Sequence, residues 1–161
     1  MNPVISEGYK PGCIGKITQL HAAYYAASHG FGLEFEAKVA SELSEFCRRY
    51  IPRRDGIWLV HNPEIEGSVI LDGSKASEAG AHLRWFITSD SLRGHGIGKQ
   101  LLAQALALAD AREYKKVYLW TFAGLEAARH LYEAFGFKLV YQSPGTQWGK
   151  VVEEQRFERE V

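Results

Sequence analysis

The 161-residue chain is short of most features that would mark a specialised class. It has one methionine, two cysteines and five prolines, and its 19 Lys and Arg are matched by 19 Asp and Glu. Zero formal charge removes the electrostatic drive toward nucleic acid or an anionic membrane surface, so neither partner is expected. No apolar run approaches the roughly 20 residues that a membrane-crossing helix needs. Cys13, Cys47 and the six histidines at 21, 29, 61, 82, 95 and 130 show no metal-ligand spacing, so no metal is expected. One cysteine pair in a chain of this size reads best as reduced thiols, although a bridge between them stays open. The opening MNPVISEGYKPG lacks the basic and apolar regions of a secretory signal, and the expectation is a cytoplasmic protein.

What remains is ordinary globular material, 46% hydrophobic and 24% charged, with the length of one domain over residues 1–161. Cys13 to Ile17 reads as a short strand. Thr18 suits an N-cap for a helix over Leu20 to Ala27 that ends near Gly30. Phe35, Val39, Leu43, Phe46 and Tyr50 recur at helical spacing, and Pro52 stops that helix. GIWLVHN (56–62) and GSVILDG (67–73) read as a hairpin around Asn62-Pro63-Glu64, followed by a third strand, AHLRWFIT (81–88). Gly96 to Glu113 is helical, KVYLWTF (116–122) a strand and Leu125 to Phe135 a helix. FKLVYQ (137–142) and WGKVVEEQRFE (148–158) close the chain as strands. The order β α α β β β α β α β β implies an α/β fold with a mixed sheet and helices packed on it.

The most informative stretch is Leu92-Arg93-Gly94-His95-Gly96-Ile97-Gly98-Lys99-Gln100, with three alternate glycines between a strand and a helix. Glycine allows positive φ, and successive N–H groups at a helix start converge on an anion such as a pyrophosphate. A P-loop would need glycine where Arg93 stands and Ser or Thr where Gln100 stands; a dinucleotide fingerprint from Gly94 would need glycine where Lys99 stands. The pattern present is R-x-x-G-x-G, and the alternative to a ligand site is a plain glycine-rich connection. Further on, Leu125, Ala128, Leu131, Tyr132 and Phe135 share one helix face. Gly136 and Phe137 suit the residues that close such a helix.

Taken together, in this order and spacing, the two segments resemble the GNAT acyltransferase superfamily from about Cys13 to the end of the chain. HAAYYAASHGFGLEFEAKVASEL and LRWFITSD are further similar to the acetyltransferase half of winged-helix–GNAT fusion proteins. The resemblance implies a splayed mixed sheet of about six to seven strands flanked by about four helices. It also implies acetyl-CoA as co-substrate and transfer of an acetyl group to an amine. Backbone near Ile87 and Thr88 would bind the pantetheine arm, and Arg93, Gly94, His95, Gly96, Ile97 and Gly98 would wrap the pyrophosphate. Tyr132 would stand near the coenzyme sulfur as general acid. The Asn often found seven residues before that tyrosine is Leu125 here, which puts one polar coenzyme contact in question.

On the acceptor side the resemblance places a groove between the first two helices and the strand ends. Tyr25, Phe31, Trp85 and Trp120, with Tyr24, are its candidate walls, against core packing as the alternative. Glu36 is the candidate base, beside Glu34 and His82, against the plainer role of an acid at a helix start. Three readings stay open: catalytic acetyl transfer to a small amine or a lysine, a non-catalytic acyl-CoA sensor, and a phosphate nest for another nucleotide. A homodimer is compatible with each.

Overall fold

The computed structural model describes residues 2–161. In chain order the elements are β1 (Val4–Glu7), α1 (Cys13–His29), α2 (Leu33–Arg49), β2 (Gly56–His61), β3 (Ile65–Asp72), β4 (Ala81–Thr88), a 3-10 turn (Asp90–Leu92), α3 (Ile97–Ala111), β5 (Lys116–Phe122), α4 (Glu126–Ala134), β6 (Lys138–Gly145) and β7 (Val152–Glu160). The strands form one mixed, open sheet in the order β1-β2-β3-β4-β5-β7-β6, flanked by four α-helices. The expected α/β class, the mixed sheet and the alternation of elements all hold.

The first strand lies elsewhere than expected. Residues 13–17 open α1, and the edge strand is Val4–Glu7, antiparallel to β2. Cys13-Ile14-Gly15-Lys16-Ile17 reads as a short strand, but Cys13, Ile17, Thr18 and His21 are the buried residues, which is one helix face. Thr18 is therefore no cap; its hydroxyl is buried inside α1 without a partner. The end of α1 follows expectation. Gly30 takes φ 70°, a left-handed conformation natural to glycine, and its N–H donates to the Ala26 carbonyl.

The sheet is covered on both faces, which explains why β2 and β3 read as nearly continuous apolar runs. Ile57, Leu59 and Ile70 meet Cys13, Ile17, Leu43 and Phe46 of α1 and α2. Trp58, Val60, Val69 and Leu71 meet Leu101, Leu102 and Ala105 of α3 on the other face. On α2 the buried residues are Phe35, Val39, Leu43 and Phe46, four of the five in the predicted stripe. At the end of α4 the N–H groups of Gly136 and Phe137 donate to the carbonyls of Glu133 and Tyr132, and the Phe137 ring packs on Tyr132 at 6.0 Å. This closing motif fixes Tyr132 at the last turn of α4.

One end of the sheet is tied by a buried carboxylate. Asp55 is 2% exposed and accepts hydrogen bonds from the N–H groups of Ile51 and Gly73 and from the Arg54 guanidinium. Nearby, Arg49 grips Asp72 at 3.1 and 2.7 Å. Burial alone would raise the Asp72 carboxyl, but Arg49 and Ser74 outweigh it and hold it far below the usual carboxylate range. Asp55→Ala strands the buried Gly73 N–H, the part-buried Ile51 N–H and the Arg54 cation. The expected loss is about 3 kcal/mol of unfolding free energy by urea denaturation, and a loss below about 1 kcal/mol contradicts this role.

Candidate active site

The site begins where two strands part. β4 and β5 run parallel but pair only through Ala81↔Val117 and His82↔Tyr118, after which they diverge. A bulge in β4 accompanies the divergence: Ser68 pairs with Ile87 but Ile70 with Arg84, so β4 carries one extra residue. Trp85 absorbs it at φ 47°, unusual for a bulky side chain, and its carbonyl accepts the Ser68 hydroxyl at 2.7 Å. The extra residue resets the alternation of the strand. Arg84 lies over the Trp85 ring at 4.0 Å, while Phe86 reaches Tyr132 at 6.0 Å.

Beyond β4 the chain passes the 3-10 turn and enters α3 through the glycine loop. Gly94 and Gly96 take φ 82° and 65°, and a Cβ on either would meet nothing within 4 Å. The space outside them is open to a ligand. Gly96 caps α3 without any side-chain hydrogen bond, and the first turn of the helix has no acidic residue. Its first N–H groups are free to meet an anion, as the helix dipole favours. Ile97 is buried and anchors the turn, while Arg93 and His95 are exposed. Gly98 has a different reason: a Cβ there would stand 3.3 Å from both Leu131 and Phe86, so this glycine lets α3 approach α4 and β4.

The gap between the strands opens a cavity of about 360 Å³. Leu83 to Phe86 form its β4 wall, Leu119 to Phe122 its β5 wall, and Tyr132 lines it from α4. Tyr25, Trp85 and Trp120, expected on the acceptor side, all line it. Phe31 packs behind the wall with Phe35, Val39 and Phe122 and is core. Tyr24 is exposed and meets the Tyr25 ring edge-on at 4.9 Å. Trp148, expected in the last strand, lies in the β6–β7 connection and covers Phe122 at 5.6 Å.

Glu36 is not brought to the cavity. It is exposed in the first turn of α2, beside Glu34, where an acid complements the helix dipole. The carboxylate that does line the cavity is Glu42, two turns further along, ion-paired to Arg84 and to Lys38. His21 and His82 also face it. Sequence reasoning missed Lys38, Glu42 and Arg84 because each is unremarkable on its own element; only the packing of α2 across the bulged strand unites them.

Burial sets the protonation of the titratable walls. It lowers His21 to about 4, although the Nδ1–H bond to the Ile17 carbonyl partly opposes the shift. It lowers His82 to about 3, assisted by the Arg84 charge. Tyr25 is pushed up to about 12, and burial with the nearby Tyr25 hydroxyl raises Tyr132 well above its ordinary value. At neutral pH both imidazoles are neutral and both phenols keep their protons.

The site is thus a splayed open sheet with an uncapped glycine cradle, open to an anion, heading the helix after the splayed strand. The Acetyltransferase (GNAT) family model matches residues 17–137, and the chain belongs to that family. The Uncharacterized N-acetyltransferase YjgM of Escherichia coli (strain K12) is 32% identical over 124 residues, covering 74% of this chain and 72% of that protein. A GNAT-family acetyltransferase of Staphylococcus aureus shares the fold with TM-score 0.75 at 18% identity, over 99% of each chain. YncA of Salmonella typhimurium, solved with its cofactor acetyl-CoA, shares it with TM-score 0.75 at 14% identity, over 99% of this chain and 94% of that one. The chain is thus an acyltransferase of a family whose co-substrate is acetyl-CoA, and the open cradle at Gly94 and Gly96 fits that molecule.

Two measurements follow from this geometry. Gly96→Asp puts a carboxylate into the cradle and strains a left-handed position at a cost of about 1–2 kcal/mol. Calorimetry is expected to show at least tenfold weaker coenzyme A binding in a folded protein, and unchanged binding contradicts the cradle. The histidines predict a pH dependence of stability. Their folded pKa values lie below the unfolded value of about 6.5, so the unfolded state binds more protons and stability falls as pH drops below that value. Each histidine accounts for about 2 kcal/mol lost by pH 5. Equal urea midpoints at pH 7 and pH 5 contradict this.

Proposed function

We propose that the chain transfers an acetyl group directly from acetyl-CoA to an amine, with no acyl-enzyme, in the cavity between β4 and β5. The observation that carries this reading is the continuity of one space. It runs from the parted strands and Tyr132 at one end to the aromatic and charged walls of α1 and α2 at the other. Two reactants meeting there need alignment more than covalent help, and alignment alone can contribute about 7–11 kcal/mol.

Bound acetyl-CoA supplies an activated thioester. The chain supplies the rest. Ile87 and Thr88 present backbone that β5 no longer pairs, in reach of a pantetheine arm laid along β4. Arg93 to Gly98 wrap the pyrophosphate, chiefly through the N–H groups at the head of α3, since those of Arg93 and His95 donate to the Asp90 and Leu92 carbonyls. A backbone N–H of the strand at the Trp85 bulge, beside the gap, would stabilise charge developing on the carbonyl oxygen.

In the transfer, the amine nitrogen bonds to the acetyl carbon and the carbon–sulfur bond breaks. Tyr132, protonated throughout the physiological range, passes its proton to the departing sulfur and recovers one from the acceptor nitrogen through water. His21 assists that relay: with Nδ1–H bound to Ile17, its other ring nitrogen is an acceptor on the cavity wall.

Tyr132→Phe keeps the ring against Phe86, Phe137 and Phe157. Thiol release with an accepted amine is expected to show kcat about 10²-fold lower, with coenzyme A affinity unchanged by calorimetry. Unchanged kcat when chemistry limits turnover removes Tyr132 from the reaction.

A further inference from the structure

The cavity contains more charge than acetyl transfer requires. Lys38 and Arg84 are cationic, Glu42 is the single carboxylate on its wall among the described residues, and His21 and His82 are neutral at pH 7. Two positive charges against one negative leave a net charge of +1 facing the space. Lys38 Nζ donates to one Glu42 oxygen at 2.7 Å, and Arg84 Nη2 donates to the other. Glu42 therefore has both oxygens engaged and serves to position the two cations. Arg84 is held flat by the Trp85 ring at 4.0 Å, and its side chain is only 17% exposed. A guanidinium so deep, sharing one carboxylate with a lysine, is incompletely neutralised. It offers a planar fork of further donors to an incoming carboxylate.

The remaining walls are mainly apolar and aromatic, Tyr25, Phe35, Val39, Trp120, Phe122 and Trp148 among them, with the uncharged Thr121 and Gln147 as polar additions. They suit a hydrocarbon or aromatic body and give no partner to a second ligand charge. The space is small, about 360 Å³ including the end reached by Tyr132. A peptide lysine would bring an aliphatic amine but no anion to satisfy the excess positive charge.

We propose that the acceptor is a free amino acid with an apolar side chain, its carboxylate held by Arg84 and Lys38 and its amino group turned toward Tyr132. This rests on the acetyl-transfer reading above. The amino nitrogen gains the acetyl group and loses a proton, coenzyme A leaves as the thiol, and the carboxylate is unchanged.

The test offers leucine, methionine and phenylalanine beside their carboxamides and their decarboxylated amines. Expected is kcat/KM at least tenfold higher for the acids. Arg84→Gln is expected to raise KM for the acids about 10–100-fold, leave the acetyl-CoA KM unchanged and erase the preference for acid over amide; Arg84→Lys restores part of it. Calorimetric titration of the acids and amides in the presence of coenzyme A is expected to give the same ranking without turnover. The comparison within the wild-type protein stands even if a variant fails to fold. Equal use of acids and amides overturns the proposal. So does failure of all three acids to bind or react, or preferential use of a lysine peptide. If acetyl-CoA still binds and is turned over in those cases, the acetyl-transfer reading survives. If acetyl-CoA itself does not bind, that reading fails, and the titration of free amino acids judges the carboxylate site separately.

Discussion

Two backbone pairings, Ala81↔Val117 and His82↔Tyr118, join β4 to β5, and what the rest of the structure can do depends on their number being so small. A parallel ladder continued to Thr88 would bury the edge of β4 and leave no cavity. The extra residue at Trp85 is the local cause that can be seen in the backbone, since it shifts the pleat just where the strands separate. The Ser68 hydroxyl bound to the Trp85 carbonyl holds the bulge from the opposite strand. Unpaired backbone is costly in a protein interior. An edge left open beside a cavity is best explained by a ligand that completes it.

The helices convert that gap into a site with two chemically distinct ends. α3 begins at its mouth with left-handed glycines and no cap, which favours an anion. α4 ends with a closing motif that fixes Tyr132 against the gap. α1 and α2 cross the other face and bring His21, Tyr25, Lys38 and Glu42 to the walls. Burial keeps the imidazoles neutral and the phenols protonated, so the permanent charges there belong to the Lys38–Glu42–Arg84 triad.

Much of this was legible in the sequence, for identifiable reasons. The glycines at 94 and 96 answer a local backbone demand, the left-handed φ, that no neighbouring element has to supply. Gly136 and Phe137 announce a helix end by the same logic, and the α2 stripe follows from helical period alone. The first strand lies elsewhere than residues 13–17 because five residues rich in apolar side chains suit a strand and a helix face alike, and only burial of Cys13 and Ile17 against Leu43 and Phe46 decides it. The bulge at Trp85 had no signal, since no glycine marks it. Glu36 and Glu42 lie on the same helix, and sequence cannot say which of them faces β4. Phe31 and Tyr25 are equally aromatic and both pack on Phe122, yet one is core and the other lines the cavity, a difference that only tertiary packing makes.

The central claim is that the parted strands receive the coenzyme. Amide hydrogen exchange with and without coenzyme A tests it directly, because the claim concerns backbone groups that lack a strand partner. Slower exchange is predicted over residues 85–88 of β4 and 94–98 at the head of α3, with little change in β1, β2 or β6. Protection that spares both segments, or that falls on the outer strands instead, would contradict the account.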